Sequence, residues 1–140
     1  MKTVFADTGF WIALLNPKDR WHRKSLTLYQ SLEAQQVRVI TSEMVLTELL
    51  NFFSKFHSFA RKEVALRVQQ MKQHPNVTVI PQNTKQFDLA LELYLQREDK
   101  QWSLTDCCSF LIMKELDITT ALAHDKHFIQ AGFQNLLNDE

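Results

Sequence analysis

The stretch Lys2-Thr3-Val4-Phe5-Ala6-Asp7-Thr8-Gly9-Phe10-Trp11-Ile12-Ala13-Leu14-Leu15 decides how this chain is read. Residues 2–6 (KTVFA) form a short β-rich run bounded by an acid, which predicts a strand. Residues 8–15 read as a short helix stopped before Pro17, because the residue preceding a proline is pushed out of helical geometry. Outward from this unit, the same alternation recurs. A helix over 21–34 has Asp19 as its candidate cap. A strand follows over 37–41 (VRVIT), and then a helix over SEMVLTELLNFFSKF with Ser42 as its cap. Next come a helix over 61–72, a strand over 76–80 and a helix from Asn83 to near Gln96. Ser103 opens the helix SLTDCCSFLIMKEL, 118–123 (ITTALA) is a strand, 126–130 a short helix, and Phe133 begins a last edge strand. Short apolar runs alternating with helical patterns predict βαβ units, hence an α/β domain around a parallel sheet.

The 140 residues suit a single domain spanning 1–140. A domain of this size buries roughly 70% of the surface its unfolded chain exposes, so it needs no disulfide or metal merely to hold a core. Hydrophobic residues make up 45% of the chain, an ordinary globular share. No apolar run approaches the roughly 20 residues of a membrane span, and the start of the sequence lacks a signal-peptide pattern, so a cytoplasmic location is expected. Cys107 and Cys108 are adjacent, which suits neither a metal pair nor a disulfide framework; they read as small buried side chains. Formal net charge is zero, giving no bulk attraction to nucleic acid, although a local patch or a bound cation can replace net charge. Gly9 and Gly132 are the two glycines. A phosphate-cradling loop of the Walker or dinucleotide type needs several in one short stretch, which excludes nucleoside-triphosphate and NAD chemistry.

Four acids stand out. Asp7 directly follows the first strand and Asp125 directly follows ITTALA. In open parallel sheets ligands bind beyond the carboxyl ends of the strands. Taken singly, each is as readily a helix N-cap. Glu48 lies between Val45 and Phe52 of a stripe formed by Val45, Leu49, Phe52 and Phe56, where a carboxylate is partly desolvated; a rim position or salt bridge is the plainer alternative. Ser103-Leu104-Thr105-Asp106 has the form of a capping box. Were the four to converge, their mutual repulsion would call for a hard divalent cation, Mg²⁺ or Mn²⁺, able to orient a phosphodiester and activate a water.

These residues, in this order and spacing, resemble a PIN domain, and more narrowly the VapC-type toxins of bacterial toxin–antitoxin pairs. Asp7 to Leu15 is similar to the family's opening, and Asn16 to His22 to the following loop and helix start. Thr47-Glu48-Leu49 and Ser103-Leu104-Thr105-Asp106 match the segments carrying the second and third acids. His124-Asp125-Lys126-His127-Phe128, followed by Ala131-Gly132-Phe133, resembles the last acid and the closing turn. Many relatives carry Thr or Ser just before the last acid, where this chain has Ala123 and His124. The resemblance implies a three-layer α/β/α sandwich and a catalytic, metal-holding set of Asp7, Glu48, Asp106 and Asp125. It also implies Mg²⁺- or Mn²⁺-dependent endonucleolytic cleavage of RNA by metal-activated water, homodimerisation, and inhibition by a small antitoxin protein.

Thr8 is read either as a hydrogen-bond partner of a metal-bound water or as a turn stabiliser, and Ser103 as a cap rather than a ligand. His124 and His127 invite a zinc reading that no further Cys or His spacing supports. Phe52, Phe53, Phe56 and Phe59 read either as core or as contact surface. A phosphoryl-transfer receiver domain would want paired acids ending the first strand, and a haloacid-dehalogenase-type phosphatase an Asp where Gly9 stands. The alternatives that remain are a non-catalytic PIN-like module binding RNA or protein, and a housekeeping nuclease outside any toxin pair.

Overall fold

The computed structural model describes residues 2–137. The elements run β1 (Thr3–Ala6), α1 (Thr8–Leu15), α2 (His22–Ala34), β2 (Arg38–Ser42), α3 (Glu43–Phe53), α4 (Ser58–Gln73), β3 (Val77–Ile80), α5 (Thr84–Gln96), α6 (Leu104–Glu115), β4 (Thr120–Leu122), α7 (Lys126–Gln130) and β5 (Gln134–Asn135). All strand pairs are parallel, in the order β3-β2-β1-β4-β5. The chain moves from β1 out to β3, returns to the far side of β1, and continues to β5. Parallel crossovers are right-handed, so this reversal sends α1–α4 to one face of the sheet and α5–α7 to the other. The helix contacts agree: α1 packs on α2 and α3, and α3 on α4, while α6 packs on α5 and α7. The expected α/β/α sandwich is the fold.

Burial follows position in the sheet. Val4, Phe5 and Ala6 of the central strand are fully buried, as are Ala121 and Leu122 of β4, because helices cover both faces. The outer strands are short, β5 having two residues, which limits exposed edge. Trp11 is clamped in this core: its indole N–H donates to Thr41 Oγ1 (3.1 Å), whose hydroxyl donates to the Ala6 carbonyl (2.9 Å).

Helices α2, α6 and α7 end in one way. The second residue beyond the C-cap donates back to a carbonyl inside the helix: Val37 to Leu32 (2.9 Å), Ile118 to Met113 (2.8 Å) and Phe133 to Phe128 (2.9 Å). The residue between is left-handed in each case, with φ of 56° at Gln36, 58° at Asp117 and 97° at Gly132. This Schellman closure satisfies carbonyls that the helix end leaves open. It also delays the start of the strands expected from sequence. Val37 and Ile118 bond to helices rather than to the sheet, so β2 starts at Arg38 and β4 covers 120–122 rather than 118–123.

Four further expectations are corrected. Helix α3 stops at Phe53, where a turn carries Ser54 N–H to Asn51 O (3.2 Å), so it does not reach Phe56. The buried stripe runs Val45, Leu46, Leu49, Phe53, leaving Phe52 and Phe56 exposed. Helix α4 begins at Ser58, before the expected Arg61, because the His57 ring accepts from Ala60 N–H (3.4 Å). Asp19 is not the cap of α2; its carboxylate accepts from Trp21 N–H (2.8 Å) in the turn before the helix. Cys107 and Cys108 are free and buried, and no described helix is long and apolar enough to cross a membrane.

Candidate active site

The strand order reverses between β1 and β4, and the crevice beyond their carboxyl ends is where such sheets hold ligands. Asp7 leaves β1 at this point. Its backbone N–H donates to Leu122 O (3.1 Å), tying the end of β1 to β4. It occupies the N-cap position of α1, yet its side chain makes no capping bond, and it is only 6% exposed. Asp7 is thus a buried acid that makes no side-chain capping bond to α1, although the Thr8 backbone N–H acts on its carboxylate.

Asp125 leaves β4 beside it. Its Oδ1 accepts from His127 N–H (2.9 Å), so it does cap α7. Its carbonyl accepts from Asn135 Nδ2 (2.6 Å), which pins the loop to β5. Asp106 enters from the first turn of α6 through the expected capping box: Ser103 Oγ accepts from Asp106 N–H (2.9 Å), and Asp106 Oδ2 accepts from Ser103 N–H (3.0 Å). The cap does not use up the carboxylate, since Asp106 is buried and faces the same crevice. Glu48 projects from the middle of α3, half-buried, and its Oε1 accepts from the Thr8 hydroxyl at 2.7 Å. Thr8 therefore has a partner that its sequence reading did not name: it fixes Glu48 across 40 residues of sequence.

The four acids share an electrostatic neighbourhood. Burial holds the Asp7 carboxyl well above its ordinary value of 3.8, and the charges of Asp125, Asp106 and Glu48 push the same way; the Thr8 backbone N–H opposes them. Asp106 is also raised, first by burial and then by Asp125, against the lowering effect of Ser103 N–H and His127. Oxygens of Asp106 and Asp125, with a ring nitrogen of His127, lie within 4.8 Å of one another. Asp7 and Glu48 stand outside that tight group.

His127 is the residue sequence reasoning did not place. Its Nδ1 lies 2.9 Å from Asp106 Oδ2, the oxygen that also takes Ser103 N–H. An Asp-x-His spacing at the start of a five-residue helix gives no periodic signal, and the partner is 21 residues away. The zinc reading of His124 with His127 does not stand, because His124 turns away to stack on Trp21, with centroids 5.0 Å apart and an interplanar angle of 11°.

The comparisons agree with this architecture. The PIN domain model matches residues 4–134. The chain is 30% identical over 132 residues to the 23S rRNA-specific endonuclease VapC20 of Mycobacterium tuberculosis, covering 93% of this chain and 95% of that protein. The crystal structure of Mycobacterium tuberculosis VapC20, described as a Sarcin-Ricin loop cleaving toxin, superposes with a TM-score of 0.78 at 27% identity, covering 95% of this chain and 98% of that one. FitAcB from Neisseria gonorrhoeae shares the fold at a TM-score of 0.67 and 15% identity, over 96% of each chain. With the family model spanning nearly all of it and the acids gathered where the strand order reverses, this chain belongs to the PIN-domain family.

Proposed function

We propose that this chain is a Mg²⁺- or Mn²⁺-dependent endoribonuclease, and the toxin of a toxin–antitoxin pair. The observation that carries the reading is the buried, uncapped Asp7 at the reversal of strand order, with Asp125, Asp106 and Glu48 charging the same crevice. The donor set fits a hard divalent cation, since it is built from carboxylate oxygens and includes a buried acid that burial and three like charges disfavour as an anion. When bound, the cation would orient the phosphodiester, acidify an attacking water and offset charge on the leaving oxygen.

The chain's own groups prepare the place. Thr8 holds Glu48 by one oxygen. Ser103 N–H and His127 both fall on Oδ2 of Asp106, which leaves Oδ1 to the site. Asp125 spends Oδ1 on its cap and keeps Oδ2. Partners that fix a ligand's orientation commonly matter 10–100-fold in metal affinity or activity. The thiols are poorly prepared as nucleophiles: burial raises both, Cys108 to about 11, so neither supplies a thiolate.

The substrate we propose is RNA, with ribosomal RNA as the class to try first, since the VapC20 relative is a 23S rRNA endonuclease. A homodimer and a small antitoxin complete the reading. Exposed apolar side chains support both: Leu91 and Leu95 along α5, and Phe52, Phe56 and Phe59 around the α3–α4 turn, while Phe53 is core. The test is cleavage of ribosomal RNA by the purified chain and by Asp106→Asn. Cleavage that requires Mg²⁺ or Mn²⁺ and vanishes in the variant is expected; equal cleavage by both would overturn the assignment.

A further inference from the structure

We infer that Trp21 and His124 form a shelf at the lip of the acidic crevice on which one unpaired base of the RNA stacks. The inference rests on the ribonuclease reading and adds a binding residue to it.

The geometry starts from Trp21, which packs half-buried on the core where α2 begins. The imidazole of His124 lies nearly flat on it, at 5.0 Å and 11°. The ring's Nε2 end meets helix α1 at Gly9, where an added Cβ would stand 3.1 Å from Nε2. Gly9 is thus the small residue that lets the ring in, two positions after Asp7. His124 itself immediately precedes Asp125. The imidazole therefore reaches from the loop that carries Asp125 after β4 to the first turn of α1, which follows Asp7.

A side chain so closely held would ordinarily be buried, but His124 is exposed. With one face on Trp21 and one end on Gly9, the ring can offer its other face to solvent. A flat, immobilised, solvent-facing ring beside a phosphodiester site suits a nucleobase, because single-stranded RNA is recognised by stacking splayed bases on aromatic side chains, His included. The charge distribution agrees. Arg20 and Lys24 lie over the Trp21 ring at 5.2 and 5.5 Å from its centroid, placing cations at the shelf beside an otherwise acidic crevice. Phosphates flanking the stacked base would meet positive charge there. At zero net charge the chain has no bulk attraction for RNA, so local contacts of this kind must supply affinity.

The experiment uses a short unstructured RNA with a single 2-aminopurine, moved along the sequence in a series of oligonucleotides, and excess EDTA to prevent cleavage. Stacking quenches 2-aminopurine fluorescence. At one or two positions the parent should quench the probe. His124→Ala should abolish that quenching and bind about 5- to 100-fold more weakly, the range expected for one base–aromatic stack. His124→Phe, which keeps a flat ring, should restore both to within about 3-fold of the parent. Mg²⁺ should raise the melting temperature of His124→Ala as it does the parent's, showing that the acids are undisturbed. Unchanged affinity and quenching in His124→Ala would overturn the shelf and leave the ribonuclease reading standing. A parent that binds none of the oligonucleotides would likewise overturn the shelf, whereas the ribonuclease reading falls only if RNA stays uncut in Mg²⁺ and Mn²⁺.

Discussion

Replacing Asp125 by Asn separates a helix cap from a member of a charged cluster. The amide keeps the oxygen that accepts from His127 N–H at 2.9 Å, so α7 stays capped, because Asn caps as well as Asp. What changes is one negative charge. Oxygens of Asp125 and Asp106 lie within 4.8 Å, where two unit charges at an effective dielectric near 20 repel by roughly 3 kcal/mol. The raised carboxyl of Asp106 and solution counter-ions reduce this to about 1–2 kcal/mol at neutral pH. In EDTA, Asp125→Asn should therefore melt about 4–8 °C above the parent, taking roughly 4 °C per kcal/mol for a domain of this size. Mg²⁺ at one hundred times its Kd should stabilise the parent by about 2.7 kcal/mol. The variant should gain much less and lose RNA cleavage. Thermal melts of both proteins, with EDTA and across a Mg²⁺ series, read all of this. An Asp125→Asn protein less stable than the parent in EDTA, with an undiminished response to Mg²⁺, would refute the reasoning and leave Asp125 a cap.

Asp7→Asn carries a pH signature. Between the ordinary 3.8 and the raised value of Asp7 in the folded state, the unfolded chain has released this proton while the metal-free folded chain keeps it. Stability contributed by this group therefore falls as pH rises, by up to about 1.4 kcal/mol per pH unit. Melts in EDTA should show parent and Asp7→Asn alike near pH 4 and the variant pulling ahead as pH increases; a constant difference would contradict this. Thr8→Val should lower Mg²⁺ affinity or cleavage about 10-fold through the loss of the Glu48 bond, with Thr8→Ser close to the parent; titration calorimetry reads the affinity, and an unaffected Thr8→Val would limit Thr8 to the turn. Light scattering should give twice the 16.5 kDa chain mass, and a monomer would remove the dimer.

The sheet and its helices were legible because strands buried on both faces read as apolar runs and because Ser42, Asn83 and Ser103 are side-chain caps that the structure shows in use. Legibility failed where tertiary bonds compete with periodicity. The Schellman turns at Gln36 and Asp117 use non-glycine residues in the left-handed conformation, so no glycine marks them in the sequence. Phe52, Phe53 and Phe56 are alike as letters; Phe53 joins the core as the i+4 neighbour of Leu49 and i+8 of Val45, Phe52 falls off that line, and Phe56 lies beyond the end of α3. All four acids, and their grouping, were implied by the resemblance to PIN domains. The residues alone did not show the grouping, since it depends on the return of the chain to the far side of β1. The same return brings His127 to Asp106, and His124 between Gly9 and Trp21, contacts that no local pattern announces.

The most direct test of the central claim is the chemistry of the cut ends. Purified protein should be incubated with ribosomal RNA in Mg²⁺ and in EDTA, and the new termini mapped. Attack by water activated at a carboxylate-held cation predicts 5′-phosphate and 3′-hydroxyl ends in Mg²⁺ and intact RNA in EDTA. Cleavage that persists in EDTA, or ends that carry 2′,3′-cyclic phosphate, would contradict it.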